Sequence, residues 1–109
     1  MNAELMKAIL GRYSCRAFRP DPLPEEDVDR MVEALRWAPS AGNMQPWRFL
    51  VIRSAELRKE LAHAAYDQEF LAQAPIAFVV CVEPERSASR YGDRGRFLYA
   101  IQDTAAAVE

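Results

Sequence analysis

A continuous apolar run at residues 76–82, IAFVVCV, constrains the fold of this chain more than any other feature. Apolar side chains occupy both its odd and its even positions, which is typical of a strand in a sheet covered on both faces. Residues 49–52 read as the other convincing strand. Because a two-stranded sheet is marginal by itself, we expect either a partner subunit or further residues to complete it.

Helices are predicted on either side of these strands. Apolar residues from Val28 to Leu35 recur at the spacing of a buried helix face, and Pro39 disfavours helical geometry just before it. Ser54 has a side chain suited to capping a helix. Residues 83–96 hold four arginines against three acidic residues and read as a solvated, mobile loop. The first predicted helix covers residues 2–10 and is ended by Gly11, and the second runs from Pro24 to Ala38. The third covers residues 55–66, and the last begins near Arg96.

Composition and charge exclude several classes of function. Half of the residues are hydrophobic and 28% are charged, as in a soluble globular protein with one domain over residues 1–109. The net charge of −2 gives no general attraction for nucleic acid or acidic membranes. The first residues lack the pattern of a signal peptide. Cys15 and Cys81 are far apart and lack metal-ligand spacing, which favours a reducing cytoplasm. We therefore expect no nucleic-acid, membrane or metal partner.

Arg12, Ser14 and Arg16 follow the first predicted helix in an arrangement suited to a phosphate or another planar anion. Two guanidinium groups can each bind phosphate oxygens through two hydrogen bonds, and a serine hydroxyl adds one more donor. From these residues alone, the alternative stays open that the arginines are solvated or paired with Glu25, Glu26 or Asp27.

Residues 38–47, APSAGNMQPW, form a polar segment between the second predicted helix and the first strand. The segment is too polar for a core element, although the stretches on both sides read as core. Polar loops on a packed scaffold are where binding groups tend to lie. The alternative is a helix stop followed by a tryptophan that packs on the core, and for Pro46 and Trp47 we adopt that interpretation.

Together the two segments resemble the nitroreductase family of FMN-dependent oxidoreductases. Residues 12–18 are similar to the family's Arg-x-Ser-x-Arg/Lys-x-Phe segment, and residues 39–47 to its Pro-Ser-x-x-Asn-x-Gln-Pro-Trp signature at every fixed position. The resemblance implies an α+β fold, with a mixed β-sheet flanked by helices in three layers, and an intertwined homodimer. The family's domain is considerably longer, so we expect residues 1–109 to form a single nitroreductase-like domain that lacks the C-terminal part of a longer parent.

The resemblance also implies roles for individual residues. Arg12 would bind the FMN phosphate, Ser14 the phosphate or ribityl chain, and Arg16 the ribityl chain and the pyrimidine edge. Met44 would face the substrate, while the side chains of Asn43 and Gln45 would fix the loop's own backbone. The implied cofactor-binding set is Arg12, Tyr13, Ser14, Arg16, Pro39, Ser40, Ala41 and Asn43, and the residues expected only to pack or to lie on the surface are Phe18, His63 and Gln68.

The implied activity is a ping-pong reaction in which NAD(P)H reduces the flavin at N5 and the flavin reduces a nitroaromatic, quinone or similar small molecule. The flavin carries the chemistry, so no catalytic residue is named. We expect weak or absent FMN binding by these 109 residues alone. Two alternatives stay open: a non-catalytic fragment for flavin binding or dimerisation, and another flavin chemistry such as reductive dehalogenation or flavin breakdown.

Overall fold

The computed structural model describes all 109 residues. A short 3₁₀ turn, Ala41–Asn43, lies in the polar loop, and a π-helical turn, Gly95–Tyr99, joins the last two helices. None of the helices is both long and apolar enough to cross a membrane. In chain order the elements are α1 (Ala3–Gly11), α2 (Glu25–Arg36), β1 (Trp47–Ile52), α3 (Ala55–Ala64), α4 (Phe70–Gln73), β2 (Ala77–Val82), α5 (Pro84–Arg94) and α6 (Ala100–Val108).

The two strands pair antiparallel, with Trp47 opposite Val82 and Ile52 opposite Ala77. Helix α6 packs against both strands, and α2 packs against α6. This arrangement places the polar loop, which joins α2 to β1, beside the last helix. Within this chain β2 is half-buried rather than covered on both faces, because a two-stranded sheet leaves much of its surface without a neighbour.

The chain leaves an unusually large surface uncovered. It exposes 8162 Å², whereas a compact monomer of its mass exposes about 6,100 Å². Its radius of gyration is 15.8 Å, against about 13 Å for a compact domain of this length. Large apolar side chains such as Leu10, Trp37 and Phe97 are exposed. Packing within one copy of the chain therefore leaves substantial apolar surface in contact with water.

The predicted helix boundaries are mostly correct to within two residues. Ser54 caps α3 as expected, since its Oγ accepts a hydrogen bond from the Leu57 amide at 3.3 Å. Gly11 is the last residue of α1 rather than the residue after it. Helix α3 stops at Ala64, two residues early, because the chain turns away through left-handed conformations at Tyr66 and Asp67.

The prediction of a mobile loop over residues 83–96 is wrong, since most of this stretch forms α5. Arg96 pairs with two acidic residues of the same stretch: its guanidinium donates to both carboxylate oxygens of Glu85, at 2.7 and 3.0 Å, and to Asp93 at 2.5 Å. Gly92 interrupts the helix with φ 59° and ψ −139°, a conformation that belongs essentially to glycine. A π-helical turn then begins at Gly95 and continues directly into α6 at Ala100, so the last helical segment starts within one residue of Arg96, close to the predicted start.

Candidate functional site

The polar loop folds into a tight turn that its own serine closes. Gly42, Asn43 and Gln45 all have left-handed backbone conformations, with φ of 60°, 54° and 50°. The Ser40 Oγ accepts a hydrogen bond from the Gln45 amide at 3.0 Å, and the Ser40 carbonyl accepts one from the Asn43 amide at 2.9 Å. The expectation that the side chains of Asn43 and Gln45 fix the loop is therefore corrected. Ser40 does so, because its short side chain reaches back across the turn.

Residues from the C-terminal half of the chain form hydrogen bonds with this loop at Ala41 and at Gln45. Asp103 on α6 accepts a hydrogen bond from the Ala41 amide at 3.1 Å, and Arg86 on α5 donates to the Gln45 carbonyl at 2.9 Å. Neither residue was predicted from the sequence. A single carboxylate or guanidinium on a distant helix has no local pattern that would identify its loop partner.

Pro46 and Trp47 anchor the end of the loop in the core, as predicted. The Pro46 side chain is fully buried, and Trp47 is 7% exposed. The Trp47 ring stacks on Phe49 with 5.8 Å between centroids. These two residues hold the loop against β1 and leave the residues before them at the surface.

A cavity of 780 Å³ opens beside the loop. Its lining includes Pro39, Ser40 and Asn43 from the loop and the aromatic residues Trp37, Trp47 and Phe49. Polar groups beside aromatic walls suit a flat ligand with hydrogen-bonding edges. Met44, the predicted substrate contact, is half-buried and does not line this cavity.

The charged groups around the cavity already have partners. Arg36 pairs with Glu33 at 3.2 Å, and Arg86 pairs with Glu83 at 2.9 Å. Glu33 also accepts a hydrogen bond from the Trp37 indole nitrogen at 2.7 Å. The cavity therefore carries little unpaired charge, and the loop's neutral groups dominate its polarity.

The arginine segment lies in the extended stretch that follows α1. Arg12 pairs with Glu109 at 3.1 Å, while Tyr13, Ser14 and Arg16 are exposed. The alternative partners considered from the sequence are engaged elsewhere: Glu25 with Arg53, and Glu26 and Asp27 with Arg30. Phe18 packs near Phe70, with 6.3 Å between ring centroids, in agreement with its predicted packing role.

The structure does not bring the two predicted groups of binding residues together. The cavity is lined by Pro39, Ser40 and Asn43 but by none of Arg12, Ser14 or Arg16. In a single chain the candidate site is therefore divided between two surfaces.

The remaining polar residues lie at the surface, as predicted. His63 is exposed and bonds Asp67 at 2.6 Å, and the Gln68 side chain donates to the Ala65 carbonyl at 2.8 Å. The perturbed carboxyl pKa lies outside the site: the hydrogen bond from Arg96 lowers the pKa of Glu85.

Comparison with known proteins gives one consistent family. The model of the nitroreductase family matches residues 9–69, a range that includes the arginine segment and the polar loop. An Archaeoglobus fulgidus protein named as an NADH dehydrogenase/NAD(P)H nitroreductase is 36% identical over 106 residues, covering 97% of this chain and 58% of its own length. A Bacillus subtilis protein named FMN reductase (NAD(P)H) is 27% identical over 84 residues, covering 77% of this chain and 34% of its own length.

The fold agrees with that family. The solved structure of an NADPH:FMN oxidoreductase from Vibrio harveyi superposes with a TM-score of 0.80 at 24% identity. The superposition covers 94% of this chain and 47% of that one. The chain spans between about a third and three fifths of the lengths of these relatives.

Proposed function

Because the chain belongs to the nitroreductase family, we propose that it acts in an FMN-dependent NAD(P)H oxidoreductase whose acceptors are nitroaromatic compounds, quinones or related small molecules. One observation carries this proposal: both candidate binding segments lie inside the family match and expose hydrogen-bond donors to solvent. The names of the A. fulgidus and B. subtilis relatives support the reaction class and the two cofactors. We assign all 109 residues to one domain.

The donors of the arginine segment suit the polar part of FMN. Arg12 and Arg16 offer planar guanidinium groups for phosphate and carbonyl oxygens, and Ser14 adds a hydroxyl. The ion pair of Arg12 with Glu109 is exposed on both sides, and such pairs contribute only about 0–1 kcal/mol. A phosphate can therefore replace Glu109 as the partner of Arg12. Tyr13 belongs to the same segment and completes the proposed set there.

The polar loop offers a different kind of group. The Ser40 Oγ accepts a hydrogen bond from the Gln45 amide, and its own hydroxyl proton stays available to donate to a ligand. We assign Pro39, Ser40, Ala41 and Asn43 to the flavin and Met44 to the acceptor side.

When bound, FMN supplies the hydride chemistry at N5. The protein's task is to bind and orient the reacting groups and to adjust their electrostatics. Arg16, if it lies at the pyrimidine edge as the family resemblance implies, would stabilise the negative charge that reduction places on that edge. No side chain is required as a general acid or base.

We further propose a homodimer in which the polar loop of one subunit completes the site begun by the arginine segment of the other. Two observations support it: the two segments line no common cavity in one chain, and the chain exposes about 2,000 Å² more than a compact monomer would. Stable interfaces bury about 1,200–2,000 Å² in total. Cys15 and Cys81 are both free thiols, which supports a location in the cytoplasm.

A titration of FMN into the 109-residue chain, followed by flavin fluorescence, tests the proposed site. Riboflavin, which lacks the phosphate, serves as the matched ligand. Because these 109 residues alone are expected to bind FMN weakly, the titration extends to high flavin concentrations. We expect FMN to bind more tightly than riboflavin, and Arg12→Ala to weaken FMN binding about ten-fold further, the loss of one charge-assisted hydrogen bond. The control is Arg19→Ala, which removes another exposed arginine that lies outside the proposed set. Equal effects of the two substitutions, or equal affinities for FMN and riboflavin, would contradict the proposal.

A further inference from the structure

The polar loop does not hold its conformation through its own sequence alone. Asn43 and Gln45 have positive φ angles of 54° and 50°, in a region that non-glycine residues enter only at a free-energy cost. Two such residues within three positions are stable only where surrounding contacts fix them.

Helix α6 provides adjacent residues that contact opposite ends of the loop. The Asp103 carboxylate accepts the Ala41 amide at 3.1 Å, and the buried Thr104 hydroxyl lies 3.4 Å from the Pro46 carbonyl. Thr104 is itself bonded to the Ala100 carbonyl at 2.7 Å. Two adjacent residues of one helix thus contact two positions of the loop that lie five residues apart.

The hydrogen bond from the Ala41 amide to Asp103 satisfies a donor that the turn itself leaves without a partner. Ala41 is the first residue of the 3₁₀ turn, and the first amides of a helical turn have no partner within it. A carboxylate at that position satisfies the amide and interacts favourably with the positive end of the turn. It acts on the residue directly after Ser40, which closes the loop and carries a proposed flavin donor.

We infer that Asp103 is a positioning residue for the polar loop: by holding the Ala41 amide it fixes the turn in which Ser40 and Asn43 face the cavity. This inference rests on the proposed function for the identity of the ligand. The loop geometry that it explains is independent of any ligand.

Amide hydrogen exchange measured by NMR on the 109-residue chain tests the inference without cofactor. The Ala41 amide reports the bond to Asp103, and the Gln45 amide reports the position of the Ser40 hydroxyl. We expect Asp103→Ala to speed exchange at both amides about ten-fold, since a hydrogen bond to a charged group is lost. Asp103→Asn keeps a neutral acceptor oxygen, so its exchange rates at both amides should lie between those of the unsubstituted chain and those of Asp103→Ala.

Gln102→Ala is the matched control, because Gln102 is the exposed neighbour of Asp103 on the same helix. It should leave both amides unchanged, and the amides paired between β1 and β2 should be unchanged in every variant. Unprotected Ala41 in the unsubstituted chain would overturn the inference. So would faster exchange at Ala41 with no change at Gln45, because Asp103 would then not position Ser40. These exchange results decide the role of Asp103 whether or not the 109-residue chain binds FMN, because the measurement needs no cofactor.

Discussion

The hydroxyl of Tyr91 fills the space that a β carbon on Gly42 would occupy. Gly42 also has a φ angle of 60°, which residues with a side chain rarely adopt. The polar loop therefore requires glycine at this position for two separate reasons. Tyr91 is in turn packed edge-to-face against Tyr99, with ring centroids 5.2 Å apart. Helix α5 therefore contacts the loop, and the π-helical turn packs against the tyrosine that makes this contact.

Gly42→Ala should lower the free energy of unfolding by about 2–4 kcal/mol. About 1–2 kcal/mol comes from the left-handed backbone, and the rest from the overlap with the Tyr91 hydroxyl. Urea denaturation followed by tryptophan fluorescence measures the change.

Two variants separate these causes. Tyr91→Phe removes the overlapping oxygen and should return part of the stability lost in Gly42→Ala. Gly11→Ala is the control, because nothing lies within 4 Å of a β carbon there and alanine is the better helix residue by up to about 1 kcal/mol. If Gly11→Ala destabilised the chain as much as Gly42→Ala, neither the conformation of Gly42 nor the Tyr91 contact would be the cause.

Gly95→Ala should destabilise the junction between α5 and α6 by about 1–3 kcal/mol, the usual range for overpacking. A β carbon at Gly95 would lie 2.6 Å from the Ser87 carbonyl oxygen and 2.8 Å from its carbon. Both are backbone atoms, which cannot rotate away. Gly92→Ala is the comparison, because Gly92 has a φ angle of 59° but nothing within 4 Å of a β carbon. Its denaturation midpoint reports backbone strain without crowding, whereas that of Gly95→Ala reports crowding. Rescue of Gly95→Ala by Ser87→Ala would show that the Ser87 side chain, rather than its backbone, causes the clash.

The elements that local sequence determines were predictable. The spacing from Val28 to Leu35 identified α2, Ser54 identified the start of α3, and the apolar run identified β2. The proline and tryptophan that end the polar loop were also correctly predicted to pack on the core. Each of these features depends on neighbours within a few residues, so one sequence contains the information.

The features that depend on distant partners were not predictable. Residues 83–96 looked like a loop because their serines, glycines and charges lower helix propensity, and the pairing of Arg96 with Glu85 across the break at Gly92 is visible only in the folded chain. Asp103 bonds an amide 62 positions away. A partner at that distance leaves no spacing pattern in the sequence.

Stability should depend on pH through Glu85. Its hydrogen bond with Arg96 lowers the pKa of Glu85 from the ordinary value of 4.5. A carboxyl whose pKa is lower in the folded state stabilises the fold above the unfolded pKa, and this contribution disappears as the pH falls through the folded pKa. Glu85→Gln should therefore lower the urea midpoint at pH 7 and make progressively less difference as the pH falls below 4.5. The exposed Glu60, changed to Gln, is the control, and a Glu85→Gln effect that did not vary with pH would exclude the ion pair as its cause.

The ion pair between Arg12 and Glu109, 3.1 Å apart, should compete with the phosphate of FMN. Glu109→Gln frees the guanidinium, and because an exposed pair contributes at most about 1 kcal/mol, FMN affinity should rise by up to about five-fold. Riboflavin has no phosphate and should bind Glu109→Gln as it binds the unsubstituted chain. Glu60→Gln changes the net charge equally at a distance from this pair and serves as the control in the same fluorescence titration. A rise for both ligands, or an equal rise with Glu60→Gln, would point to general charge rather than to release of Arg12.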